Sequence, residues 1–230
     1  MAFLFLSILA SIVIWTFLFS WKFAIAIIVS IFIHEYGHFY WMGREGIKNK
    51  DMFFMPPFGA VARAKEPWTS YGAELRIALA GPAAGLLSVL LFYGLWLIYP
   101  NDIFLASVVL ACMINLFNLV LPVPILDGGR VIKSILYSIH RILGDIFYPL
   151  GFLFLGLAFS YGYLSLFVVM LISYFLYQEW SSVGYARSKL KSLQQLKQSN
   201  KSLSEISRLD TIVNMKRMNR KEIMLGLLVF

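Results

Sequence analysis

The chain of 230 residues has one cysteine, three histidines and only 14% charged residues. A lone Cys112 excludes an intrachain disulfide, so cysteine usage gives no sign of an oxidising compartment. Within its apolar run it reads as a small buried hydrophobe. The scarcity of charge excludes an ordinary soluble surface, since soluble domains carry roughly a quarter charged residues. No internal repeat is visible, which weighs against the usual architecture of a transporter. A net charge of +8 would suit nucleic acid, but no recognition motif accompanies it and no nucleic-acid partner is expected.

What is present is apolar. Hydrophobic residues make up 60% of the chain and the mean hydropathy is +0.75. With about 20 apolar residues needed per span, the runs predict about six transmembrane helices, near 2–19, 22–41, 75–99, 103–121, 146–160 and 163–180, in an all-α integral membrane fold. The first run lacks the positive segment of a secretory signal and reads as a retained helix. An even number of spans puts both termini on one side. That side then holds every Lys and Arg except Lys22, which the positive-inside rule reads as cytosolic.

The segment His34-Glu35-Tyr36-Gly37-His38 lies in the second run. Histidines four residues apart on a helix point the same way and can hold one metal ion, with Glu35 beside them as general base and acid. Zinc held by two histidines keeps positions open for a water that it acidifies, the chemistry of peptide-bond hydrolysis. Five residues with three fixed positions also arise by chance. Depth argues against chance here: counted from Lys22, His34 lies about 18 Å into a hydrocarbon layer about 30 Å thick. A carboxylate there costs about 2.5–3.5 kcal/mol unless a partner or a water-filled cavity receives it.

Zinc needs a third protein ligand. Asp127 is the best candidate, following the fourth run in Asn118-Leu119-Val120-Leu121-Pro122-Val123-Pro124-Ile125-Leu126-Asp127-Gly128-Gly129. The two prolines open the helix and the two glycines permit a tight turn. The fourth helix runs inward like the second, so the assigned topology brings Asp127 to the cytosolic side with the histidines. A cap or turn role remains open for Asp127. His140, between Ile139 and Arg141, is a rival ligand but reads as a solvated histidine in an interfacial stretch.

HEYGH in an early membrane helix and PVPILDGG after a later one together resemble the site-two protease family of intramembrane zinc metalloproteases. The resemblance covers about Lys22 to Arg130. It implies His34, His38 and Asp127 as ligands of one zinc ion, Glu35 as catalytic base, and cleavage of a single-pass membrane protein near the cytosolic end of its transmembrane helix. Phe54-Met55-Pro56-Pro57-Phe58-Gly59-Ala60-Val61 resembles the family's re-entrant β-hairpin. An apolar Pro/Gly segment of this kind can offer a strand edge to an unwound substrate, or be an ordinary interfacial loop. Ala80-Gly81-Pro82-Ala83-Ala84 resembles the Gly-Pro motif that opens the next span. Gly85 stands where that motif usually has an Asn. The family commonly places another Asn one residue nearer the ligand Asp than Asn118 stands here, and one residue turns a helical side chain by about 100°. Asn118 and Gly59 are the candidate substrate contacts, and Asn115 lies further from the family position.

These readings divide the chain into a first helix (1–20), a protease core (21–130), two further spans (131–180) that look lipid-facing, and a basic tail (181–230). Leu190, Leu193, Leu196, Leu203, Ile206 and Leu209 make the tail amphipathic, suited to anionic lipid of the bilayer or to the catalytic domain; a solvated tail fits the charge equally. The expected location is a prokaryotic cell membrane, with both termini cytosolic. Two other readings stand beside intramembrane proteolysis. One is a zinc peptidase acting on cytosolic peptides. The other is a transporter or assembly scaffold using His34, Glu35 and Asp127 as an ion path.

Overall fold

The computed structural model describes residues 2–56, 59–195 and 203–229. Among them the chain divides into two compact units, Met1–Glu66 with Arg76–Val120, and Pro67–Leu75 with Leu121–Phe230. In chain order the elements are α1 (Ala2–Leu18), α2 (Trp21–Arg44), β1 (Lys50–Met55), β2 (Gly59–Ala64), α3 (Tyr71–Ile98), α4 (Asp102–Val120), α5 (Asp127–Ile139), α6 (Arg141–Ser160), α7 (Leu166–Gln195), α8 (Leu203–Val213) and α9 (Arg220–Val229). The protein is thus an all-α multi-pass membrane protein with one small hairpin. Five helices among the described residues are long and apolar enough to cross a membrane, namely α2, α3, α4, α6 and α7. The first of the six expected spans is shorter, with an apolar stretch of Leu4–Leu18.

In the first unit, Ser20 caps α2 by accepting from the Phe23 amide at 3.3 Å. The far end of α2 closes at Gly46, whose φ of 84° suits glycine alone at no steric cost. There Gly46 N–H donates to Gly43 O and Ile47 N–H to Met42 O, so the last carbonyls find donors before the chain turns into the hairpin. Met42 and Ile47, both buried, supply the apolar contact that accompanies such a stop. Glu45 is tied to Arg76 at 2.7 Å. Its hydrogen bond to that guanidinium holds the Glu45 carboxyl below the usual carboxylate range.

The hairpin is antiparallel, with Lys50 opposite Ala64 and Met55 opposite Gly59. Lys65 N–H donates to Asn49 O, which makes the odd-numbered residues of β2 the ladder-bonded ones and turns the amides of Ala60, Ala62 and Ala64 to the outer edge. The outer edge of β1 is covered: the Phe54 amide donates to Ser7 Oγ of α1 at 3.1 Å. Gly59 has a φ of 114°, a backbone conformation open to glycine and strained for other residues. Pro57 and Phe58, at the expected tip, lie outside the described residues.

Helices α2, α3 and α4 share a core of Ala26, Phe92 and Ala111, with Val29, Val89 and Val108 packed against it. α3 starts four residues earlier than its expected first residue, at Tyr71. The Gly-Pro motif lies inside this helix, with Pro82 well beyond its first turn. Small residues bring α2 and α3 together: a Cβ added to Gly37 would lie 2.3 Å from Ala80 O and 2.6 Å from Ala84 Cβ.

In the second unit the two prolines act as expected, ending α4 at Val120. The glycines do not. Gly128 and Gly129 belong to the first turn of α5, and neither has a positive φ. Gly129 is required for close approach, since a Cβ there would lie 1.8 Å from Val123 O. α5, α6 and α7 are joined by buried charge. Lys133 of α5 bridges Glu74, in the first turn of α3, at 2.7 Å and Glu179 of α7, and Tyr148 of α6 donates to the same Glu179 oxygen at 3.0 Å. Burial alone would lower the Lys133 pKa, but Glu179 and Glu74 outweigh it and raise it. The last two spans are therefore tied to α5 through polar groups, beyond the lipid-facing role expected of them.

The tail packs partly on α7. α7 runs on to Gln195, and Leu190 and Ala186 pack against Leu209 of α8. Leu190 and Leu209 thus face protein rather than lipid. The side chains of Leu193, Leu196, Leu203 and Ile206 lie outside the described ones.

The Gly37 contact yields a test. Gly37→Ala should lower the thermal unfolding midpoint of metal-free protein in detergent, corresponding to about 1–3 kcal/mol of overpacking. Gly94→Ala, in α3 with nothing within 4 Å of the added Cβ, should leave the midpoint unchanged or raise it slightly.

Candidate metal centre

The HEYGH segment lies in the second half of α2, with His34 and His38 on its buried face, 1% and 4% exposed, and Glu35 half-buried beside them. One ligand atom from each of the three can be chosen so that all lie within 4.8 Å of one another.

Each imidazole is held by its Nδ1. His34 Nδ1 lies 2.8 Å from Asn115 Oδ1 and His38 Nδ1 lies 2.7 Å from Ile77 O. Both partners are oxygen acceptors, so both histidines carry their proton on Nδ1 and turn an Nε2 lone pair inward. The two Nε2 atoms are 3.2 Å apart. Two lone pairs at that separation repel unless a cation lies between them. Two nitrogens bound to one zinc at about 2.0–2.1 Å sit about 3.3 Å apart at the tetrahedral angle. The donor set, its burial and its spacing therefore fit zinc.

The Gly-Pro motif supplies the wall for this arrangement. The His38 ring lies against Gly81, where a Cβ would fall 2.1 Å from Nε2. Any larger residue at that position would displace the imidazole. Glu35 Oε2 accepts from the Ala62 amide at 2.7 Å. That amide belongs to the outer edge of β2, so the carboxylate caps that edge of the hairpin.

The other candidates are placed as follows. Asp127 belongs to the second unit, where it is the first residue of α5, buried and 3.7 Å from Arg130 Nη1. His140 is exposed and caps α6, accepting from the Ile142 amide at 3.2 Å. Asn118 is half-buried near the end of α4. Gly59 opens β2 in the conformation described above. Asn115 of α4, which the family spacing does not mark, contacts His34, because the contact depends on which face of α4 packs against α2 and α3; an Asn within an apolar helix is the signal the sequence offers.

Residues 22–101 match the sequence profile of Peptidase family M50. Over 189 residues the chain is 30% identical to a zinc metalloprotease of Methanocaldococcus jannaschii, an alignment covering 75% of this chain and 50% of the relative. Over 130 residues it is 34% identical to a putative zinc metalloprotease of Synechocystis sp., covering 50% of this chain and 31% of the relative. The chain spans half or less of the length of these relatives. The matched segment takes in the HEYGH helix, the hairpin beside Glu35 and the Gly81 wall behind His38, so in this part the chain is similar to Peptidase family M50, the site-two protease family.

Proposed function

We propose that this protein is an intramembrane zinc endopeptidase that cleaves a single-pass membrane protein within or near its transmembrane helix. The observation that carries this reading is the hydrogen bond from the Ala62 amide to Glu35. It sets the outer edge of β2 beside the HEYGH cluster. An extended peptide added to that edge by main-chain hydrogen bonds would run past His34 and His38. A helix offers no unsatisfied backbone groups to such an edge, so the substrate must unwind locally before it can bind.

His34 and His38 hold the metal through Nε2, and Asp127, from the LDG segment that resembles the family's third-ligand site, is proposed to complete the set. When bound, zinc supplies an acidified water and a Lewis acid for the scissile carbonyl. Glu35 takes the proton of the attacking water and delivers it to the leaving amide nitrogen, so the C–N bond breaks with a neutral amine as product. The apolar walls of α2, α3 and α4 limit bulk water around the carboxylate. The lipid bilayer is the working environment, and both termini are proposed to face the cytosol of a prokaryotic cell.

Co-expression with candidate single-pass proteins tests the reading. Glu35→Gln should lower cleavage by about 10²–10⁴-fold while leaving zinc content unchanged; cleavage at the wild-type rate would sink the assignment. Asp127→Ala should reduce zinc recovered with purified protein from about one equivalent towards none, measured by metal analysis. Ala60→Pro removes an outward amide other than the one bonded to Glu35, without breaking the hairpin ladder, a change tolerated at a sheet edge. It should slow cleavage of a transmembrane substrate at normal zinc occupancy, and an undiminished rate would argue against strand addition.

A further inference from the structure

The contact between His34 and α4 comes from outside every motif that marks the family in this sequence. Asn115 is held at both ends of its carboxamide: Oδ1 is 2.8 Å from His34 Nδ1, and Nδ2 donates to Ala111 O at 2.7 Å. The second bond settles which end of the amide faces the imidazole. Asn115 is itself 6% exposed, so its rotamer is set by packing. The space it occupies exists because residue 85 of α3 has no side chain. A Cβ at Gly85 would lie 1.7 Å from Asn115 Oδ1 and 2.4 Å from its Cγ. No residue larger than glycine at position 85 is compatible with this placement of the amide.

We infer that Asn115 and Gly85 form a matched pair that fixes the tautomer and ring orientation of His34, Asn115 acting as a positioning residue for the metal and Gly85 as the gap that admits it. This rests on the reading of His34 as a zinc ligand. The two histidines differ in a way that exposes the role. At Nδ1, His38 meets a backbone carbonyl, which no substitution removes, whereas His34 meets a side chain. Without an acceptor at Nδ1, a buried imidazole either leaves an N–H unsatisfied or turns to find another partner. Either outcome degrades Nε2 as a ligand, because the hydrogen bond at the other ring nitrogen sets ligand basicity and direction. Gly85, where the family motif usually has an Asn, is then no simple loss of a polar group: the polar contact comes from the facing helix.

Zinc affinity of the purified full chain, measured by competition with a chromophoric chelator, tests the pair without any reference to cleavage. Asn115→Ala should weaken zinc binding by about 10–100-fold. Asn115→Asp keeps an oxygen acceptor for Nδ1 but loses the bond to Ala111 O, and should bind zinc more tightly than Asn115→Ala. Gly85→Ala leaves Asn115 in the chain but takes its space, and should follow Asn115→Ala; it also serves if the latter fails to fold. With cobalt(II) in place of zinc, the ligand-field bands should shift in Asn115→Ala and Gly85→Ala and shift less in Asn115→Asp. Wild-type affinity in Asn115→Ala or Gly85→Ala would overturn the inference. So would an Asn115→Asp variant as weak as Asn115→Ala, which would reduce Asn115 to a packing role. A wild-type protein that takes up no zinc would instead overturn the proposed function.

Discussion

An imidazole N–H inside a bilayer has no water to turn to, and the arrangement of the first unit follows from that constraint. Both histidines of α2 must find an acceptor for Nδ1 within the protein before Nε2 can face a metal. The acceptors come from two different helices, Ile77 O of α3 and Asn115 Oδ1 of α4. Packing three apolar helices closely enough to reach them requires small residues where they touch. Gly37 meets Ala80 and Ala84, Gly81 lies under the His38 ring, and Gly85 makes way for Asn115. In hydrocarbon the association of helices gains nothing from removing apolar surface from water, so close van der Waals contact and buried hydrogen bonds must supply it. The same glycines that permit the packing also shape the pocket around the histidines.

The hairpin answers a related constraint. Irregular or extended backbone at membrane depth is tolerated only where its polar groups are satisfied by protein or line a cavity. One edge of this sheet is closed by α1, with Ser7 accepting from Phe54. The other is turned towards Glu35, which accepts from Ala62. A carboxylate that caps a strand amide stands where an added strand would lie. Placement of the base and presentation of a strand edge are thus one structural feature.

In the second unit, buried charge does what apolar packing does in the first. Lys133 keeps its charge because Glu74 and Glu179 flank it, and Tyr148 shares Glu179. Removing one member of such a group would leave the others buried without compensation, a loss of several kcal/mol by the usual measure of broken buried pairs, about 3–5. The network draws on α5, a helix of 13 residues and too short to span a bilayer.

The sequence by itself determined the solvent and the chemistry: long apolar runs demand a membrane, and histidines four apart beside a glutamate on one helix can hold zinc wherever that helix lies. The ends of α4 and the glycine stop of α2 follow from local rules for proline and glycine, because those rules act over a few bonds. Only the tertiary structure decided which residues serve the histidines. Asn115 meets His34, Gly81 faces His38 from within α3, and Leu190 and Leu209 bury each other. Each of these depends on which faces of separate helices come into contact. A pattern of spacing along one chain carries the face of each helix but not its neighbour, and the neighbour is what supplies the acceptor.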